Sequence, residues 1–219
     1  MPMAGEPPVL RIGVPMSRRF DLAVLAAVLL ALVLSGIAPY DRLTWWMEVA
    51  PVLIVLPIML ASRRRFPLSD LLLVLIGLHC LVLMVGGHWT YARVPLGDWV
   101  RDAFGLARNP YDRLGHFMQG FVPALAAREI LLRLQVLNRR GFLPFLVLCI
   151  CLAVSAAYEL IEWSSAVILG QGADEFLGTQ GDPWDTQWDM FMALVGAGCA
   201  LAFAGGAHDR AMARLEARA

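Results

Sequence analysis

The sequence has too few charged residues to cover the surface of a soluble domain of its length. Only 16% of its 219 residues are charged and 59% are hydrophobic, whereas soluble domains carry about a quarter charged residues. One core cannot hide so large an apolar share of the chain. A lipid bilayer removes both difficulties because it replaces water around the apolar surface. The composition therefore excludes an ordinary soluble domain and predicts an integral membrane protein.

Lysine is absent, and all 18 basic residues are arginine, balanced by 18 acidic residues to a net charge of zero. A neutral chain produces no net field that attracts nucleic acid, so we expect no nucleic-acid partner. The sequence also lacks an internal repeat, and its length suits one helical bundle with short loops. We therefore expect a single membrane domain, with the lipid bilayer as its main partner.

Apolar stretches near the length of a bilayer span recur along the chain. A transmembrane helix needs about 20 predominantly apolar residues. The pattern predicts an all-α, polytopic membrane protein of about six transmembrane helices, which form one domain over residues 20–205. Residues 1–19 would be a cytoplasmic lead, and residues 206–219 a cytoplasmic tail. We expect this tail to be solvated, and a short helix with a basic face near anionic lipid is the alternative. The predicted spans are 20–38, 46–61, 68–85, 111–134, 142–169 and 188–204.

The placement of arginine predicts the orientation of these helices. Cytoplasmic segments of membrane proteins carry an excess of basic residues. If the N-terminus is cytoplasmic, most arginines fall in inside segments, and the tryptophans gather near the outer interface, where aromatic belts form. We therefore expect both termini in the cytoplasm. The outside segments would then hold only Arg42, Arg93, Arg101, Arg108 and Arg113.

Ionisable residues lie within two predicted helices and at the entry to the last one, at spacings of three or four that place each pair on one helix face if the last helix begins near Pro183. Such residues are rare inside a bilayer and usually have a function. The connectivity brings the pairs to a similar depth in the outer half of the bilayer, reachable from the periplasm. A hydrogen-bonded network that only packs the helices together is the alternative. The pairs are Asp112 and His116, Glu159 and Glu162, and Asp185 and Asp189.

The loop that enters the last helix, GTQGDPWD, would lie over this cluster. Its polar candidates are Gln180 and Asp182. Asp182 precedes Pro183, and such a pair can begin a helix with the carboxylate as its N-cap. The sequence leaves open whether Asp182 caps the helix, contributes to the site, or does both.

So many carboxylates cannot all stay ionised and unpaired in a low-dielectric site. Protons, arginines or a cation could relieve the repulsion, and Arg113 and Arg93 are the candidate arginines. Histidine with carboxylates suits Zn, Mn or Fe, while carboxylates with carbonyls suit Mg or Ca. We predict a divalent cation, although the spacing matches no standard soluble metal motif. Its candidate ligands are Asp112, His116, Glu159, Glu162, Asp185 and Asp189.

Three segments carry a resemblance to a known family: YDRLGHFMQGFVPALAAREILLR, YELIEW and FLGTQGDPWDTQWDMFMALVGA. They resemble the YjdF-like family of bacterial inner-membrane proteins, and the resemblance extends from the first helix to HDR near the end. More distantly, the order Asp-x-x-x-His-Phe, Glu, Asp-x-x-x-Asp is similar to VanZ-like proteins. Those usually have Asn after the last motif, where this chain has Met190, Ala193 and Leu194. The resemblance implies a multi-pass protein of the bacterial inner membrane and names no substrate.

These observations favour a membrane-embedded site for a divalent cation and an envelope ligand, such as a lipid or a lipid-linked head group. If the protein is an enzyme, we expect hydrolysis or transfer at a phosphate or ester, with Glu159, Glu162 or His116 as the catalytic base. No serine has an obvious catalytic partner. The alternatives are a small proton-coupled transporter and a non-catalytic structural or assembly factor.

Overall fold

The computed structural model describes residues 18–169 and 179–218, and among these residues every regular element is a helix. Short 3-10 segments, Tyr91–Arg93 and Arg140–Phe142, precede the fourth and sixth helices, and a π-helical segment, Ala200–Ala204, joins the last two. The predicted all-α fold is confirmed. The helices are α1 (Arg18–Ser35), α2 (Arg42–Ser62), α3 (Asp70–Trp89), α4 (Pro95–Phe104), α5 (Tyr111–Arg133), α6 (Leu143–Leu169), α7 (Asp185–Cys199) and α8 (Gly205–Ala217).

Several of these helices are suited to a bilayer. Helix α1 contains a shorter apolar stretch, and α5 has 23 residues, which is long enough to span although its ionisable side chains make it more polar. Large apolar side chains such as Leu30 and Ile54 are exposed on the outside of the bundle. The protein is an all-α membrane protein, while six spans and the orientation stay predictions. Within the described parts of the chain, four helical stretches are long and apolar enough to cross a membrane: Arg42–Ser62, Asp70–Trp89, Arg140–Ile168 and Asp185–Ala217.

Two elements differ from what the apolar pattern predicts. No helix is expected between residues 85 and 111, yet α4 forms there because Pro95 favours its first turn and Gly105 ends it in a left-handed conformation with φ 64°. The tail expected to be solvated is α8, and its His208, Met212 and Leu215 are buried. The predicted lead, residues 1–19, lies almost wholly outside the described residues.

Helix α5 is central to the bundle, because it packs against α3, α6 and α7. Its approach to α7 is close because two glycines face the partner backbone. A Cβ atom at Gly120 would lie 1.8 Å from the carbonyl oxygen of Ala193, and one at Gly196 would lie 2.0 Å from that of Phe117. Small residues allow such backbone contact between membrane helices. The contact places the first turns of α5 and α7 side by side, where the candidate site lies.

Candidate functional site

The structure brings together all six residues that the sequence singles out as a site. Two lie in the first turns of α5, two in the second half of α6 and two at the start of α7. All are buried, with exposed fractions between 2% and 9%. Their roles as metal ligands or catalytic groups stay predictions. We call this set the carboxylate site: Asp112, His116, Glu159, Glu162, Asp185 and Asp189.

His116 lies at the centre of the carboxylate site. Its Nε2 is 3.5 Å from Asp112 Oδ1 and 3.8 Å from Asp189 Oδ2. Its Nδ1 is 3.2 Å from Gln119 Oε1. A carbonyl oxygen can only accept a hydrogen bond, so Gln119 favours the tautomer that carries the proton on Nδ1. That tautomer leaves the Nε2 lone pair facing the two aspartates.

Two arginines hold the remaining oxygens of those aspartates. Arg108 Nη2 is 3.2 Å from Asp112 Oδ2, and its Nη1 donates to Asp185 Oδ1. Arg113 Nη1 is 2.8 Å from Asp189 Oδ1. Arg113 is one of the two arginines predicted from the sequence, whereas Arg108 is not, although the spacing of four between Arg108 and Asp112 is a signal for such a pair. Arg93, the other candidate, lies over the ring of Tyr40 at 4.4 Å.

The loop before α7 is tied to the segment before α5. Asp182 Oδ1 accepts a hydrogen bond from the backbone N–H of Trp184 at 2.9 Å, as a cap does, while its Oδ2 is 3.1 Å from Arg113 Nη2. Asp182 is therefore both a turn residue and a partner of the arginines. Among the described residues, the Gln180 side chain does not bond to the six residues; its amide pairs with the backbone N–H and C=O of Asn109, each at 3.0 Å.

Among the described residues, two sets of three ligand-type atoms lie close enough to hold a metal ion, and both include His116. One set comprises Asp112, His116 and Asp189, and the other His116, Glu159 and Glu162, with all atoms of each set within 4.8 Å of one another. In the second set Glu159 Oε1 is buried and has no hydrogen-bond partner within residues 18–169 and 179–218. It lies 3.8 Å from His116 Nδ1. A buried oxygen without a partner is costly unless a ligand or proton satisfies it.

A cavity of about 540 Å³, which the sequence does not predict, adjoins the carboxylate site. Asp112, His116 and Glu162 line one end, together with Glu48 of α2, which accepts a hydrogen bond of 3.2 Å from the Tyr158 hydroxyl. The rest of the wall is mainly apolar and comes from α2, α3, α5 and α6. Glu48 is not predicted from the sequence because it is a single acid in an apolar run, 110 residues from Tyr158.

The fold and the buried polar site define a multi-pass helical membrane protein with a polar centre between its helices. The family described as "Predicted membrane protein (DUF2238)" matches residues 20–210. Over 185 residues the chain is 57% identical to "Inner membrane protein YjdF" of Escherichia coli (strain K12), which covers 84% of this chain and 88% of that protein. The chain belongs to the DUF2238 family.

These comparisons confirm the resemblance to the YjdF-like family and the predicted location in the bacterial inner membrane. The more distant similarity to VanZ-like proteins stays a prediction. No solved structure matches the chain.

Proposed function

We propose that the carboxylate site binds a divalent cation, with His116 Nε2, Asp112 Oδ1 and Asp189 Oδ2 as protein ligands. One observation carries the proposal: these three atoms converge, while the other polar atoms of the same side chains are already bonded. Gln119 engages Nδ1, Arg108 engages Asp112 Oδ2, and Arg113 engages Asp189 Oδ1. Hydrogen-bond partners of this kind orient the ligand side chains in protein metal sites.

The charges around His116 support the same proposal. Arg108 and Arg113 face a larger number of buried carboxylates, and among the described residues Glu159 and Glu162 form no salt bridge with an arginine. A bound cation is often the largest local charge in a site, and it keeps nearby carboxylates ionised. Imidazole with carboxylates suits Zn, Mn or Fe.

The ligand that the cation would act on is a lipid or a lipid-linked molecule of the cell envelope. The site lies within the membrane bundle and adjoins a mainly apolar cavity, so an amphiphile fits it better than a soluble metabolite. A cation polarises the phosphate or ester that it contacts. Glu159 or Glu162 would then take the proton of an attacking water or hydroxyl as the general base.

Metal analysis of protein purified without chelator tests the cation. We expect near-stoichiometric metal in the parent and much less in His116→Ala. His88→Ala is the matched control, because His88 Nδ1 bonds to the carbonyl oxygen of Ser35, away from the site. A parent that carries no metal and gains no thermal stability from Mg, Mn, Zn or Ca contradicts the proposal.

Release of phosphate or fatty acid from vesicles of bacterial membrane lipids tests the chemistry. We expect release by the parent and none by Glu159→Gln, whose amide keeps the shape of the side chain but cannot act as a base. Metal binding without any such release restricts the proposal to a binding protein.

A further inference from the structure

The cavity beside the carboxylate site has an apolar body and an acidic end. Its volume of about 540 Å³ is within the range of about 300–1,000 Å³ typical of small-molecule sites. Val52, Ile76, Leu83 and Val122 are among its apolar wall residues. A cavity of this shape fits a hydrocarbon chain with a polar head at one end.

The position of the exposed wall residues shows where the cavity opens. Ile58 of α2, Ile130 of α5 and Val154 of α6 line the cavity and are 59%, 42% and 43% exposed. Helices α2 and α6 form opposite walls, while α3 and α5 pack together between them. The opening therefore faces the surroundings of the bundle at the level of the apolar helices, which is the side that hydrocarbon chains occupy.

The head end is acidic and aromatic. Glu48, Asp112 and Glu162 line it, and among the described residues that line the cavity there is no arginine. Neither Glu48 nor Glu162 forms a salt bridge with an arginine within the described parts of the chain. These carboxylates without an arginine partner attract a positively charged group.

Two tyrosine rings are fixed at the same end. Tyr91 is held between two glycines: a Cβ atom at Gly86 would lie 2.3 Å from its Cε2, and one at Gly115 would lie 2.7 Å from its Cε1. Tyr158 bonds through its hydroxyl to Glu48. Aromatic faces beside carboxylates are the surroundings in which proteins recognise ammonium groups.

A buried nitrogen at the wall is consistent with a polar ligand. His79 of α3 lines the cavity, and its Nε2 is buried without a hydrogen-bond partner within residues 18–169 and 179–218. A buried polar atom is expected to be satisfied by protein, water or ligand. A head group that donates a hydrogen bond would supply that partner to an unprotonated Nε2.

We infer that the cavity takes up from the bilayer an amphiphile with a hydrocarbon chain and an ammonium head group, which Glu48, Glu162 and the two tyrosines recognise. The inference rests on the proposed function only in taking the ligand to be lipid-like. It names the chemical class of that ligand and its lateral path between α2 and α6.

Retention of three probes that differ only in their head group tests this inference. Protein in a non-ionic detergent is incubated with octadecylamine, octadecanol or octadecanoic acid, passed through a size-exclusion column, and the bound probe is measured by mass spectrometry. We expect the parent to retain about tenfold more amine than alcohol or acid, a preference of the size that a desolvated cation–aromatic contact provides. Equal retention of the three probes would overturn the inference.

Two isoleucines of α2 provide matched variants. Ile58 lines the cavity, whereas Ile54, one turn away and 61% exposed, is not among its wall residues. Ile58→Trp should close the opening and abolish amine retention, and Ile54→Trp should retain as much as the parent. An equal loss in both variants contradicts the cavity as the binding place.

A head-group variant and the metal content separate this inference from the proposed function. Glu48→Gln should reduce the retention of octadecylamine to about that of octadecanol. Metal measured in the same samples should be unchanged in Ile58→Trp. A parent that retains the amine but holds no metal overturns the cation proposal alone, and a parent that holds metal but shows no amine preference overturns this inference alone.

Discussion

Two buried polar clusters lie at opposite ends of α5, and both contain a histidine, carboxylate and arginine. The second is the Glu129 cluster, formed by Glu129, Ser69, Arg133 and His208. Here Glu129 Oε1 accepts from the Ser69 N–H at 2.9 Å and from Arg133 at 2.8 Å, while Oε2 accepts from the Ser69 hydroxyl at 2.6 Å and lies 2.9 Å from His208 Nε2. Every oxygen of this carboxylate is used.

The carboxylate site differs in how completely its atoms are bonded. The distances from His116 Nε2 to the two aspartates, 3.5 and 3.8 Å, exceed normal hydrogen bonds. Glu159 Oε1 has no hydrogen-bond partner in the described segments. The same residue types therefore form two kinds of network. The Glu129 cluster is a closed network that holds α3, α5 and α8 together, whereas the carboxylate site is an open network with room for a further positive group. The comparison identifies the open cluster as the functional candidate.

The prediction with the largest expected effect is that the two clusters lie near opposite sides of the membrane. Reporters fused to the N-terminus and C-terminus should both read cytoplasmic, and fusions after Arg101 and Gln180 should both read periplasmic, because of the arginine distribution. That result places the carboxylate site near the periplasm and the Glu129 cluster near the cytoplasm. Termini on opposite sides would mean an odd number of spans.

Removal of the central carboxylate should damage the closed network most. Glu129→Ala leaves the Ser69 N–H, His208 and Arg133 without their acceptor, and breaking a buried pair in this way costs about 3–5 kcal/mol. We expect a correspondingly lower free energy of unfolding in detergent. Asp70→Ala, which removes an exposed partner of Arg218, is the control and should cost less than about 1 kcal/mol. Similar losses of unfolding free energy in both variants would show that the Glu129 cluster does not hold the helices together.

The open network should respond in the opposite way. Glu159→Gln removes a charge whose Oε1 lacks a hydrogen bond among the described residues, so without metal the stability should stay within about 1 kcal/mol of the parent. The stabilisation by added metal, about 2.7 kcal/mol at a hundredfold excess over Kd, should persist, because the proposed ligands are His116, Asp112 and Asp189. A loss of stability in Glu159→Gln as large as in Glu129→Ala would mean that the two clusters are alike.

The sequence predicts the parts of this comparison that depend on helical spacing. Asp112 and His116 share a face because they are four residues apart, and the same holds for Asp185 and Asp189. Depth along α5, α6 and α7 then places the pairs together, as the structure has them. Arg108 lies before α5 rather than within it, so a search inside the predicted spans misses it.

Contacts between distant segments are not predictable in this way. Glu48 reaches the cavity because α2 lies opposite α6, and the hydrogen bond to Tyr158 joins residues 110 positions apart. Glu129 and His208 are separated by 79 positions, and their pairing depends on α8 folding back as a helix rather than forming a solvated tail. Only the packing of the helices determines which ionisable residues meet.

The smallest predicted effect tests whether Gln119 sets the tautomer of His116. Gln119→Leu keeps a side chain of similar size but removes the acceptor that lies 3.2 Å from His116 Nδ1. Without metal, nitrogen NMR of the imidazole should show the proton on Nδ1 in the parent and a larger share on Nε2 in the variant. Because a proton on Nε2 blocks the ligand atom, metal affinity should fall about 10–100-fold, as it does when an outer partner of a ligand is lost. Leu114→Ala, at a 40% exposed position on the same helix, should leave both measurements unchanged. An unchanged tautomer in Gln119→Leu would mean that the aspartates, and not Gln119, orient His116. The Glu129 cluster and the carboxylate site would then differ only in charge.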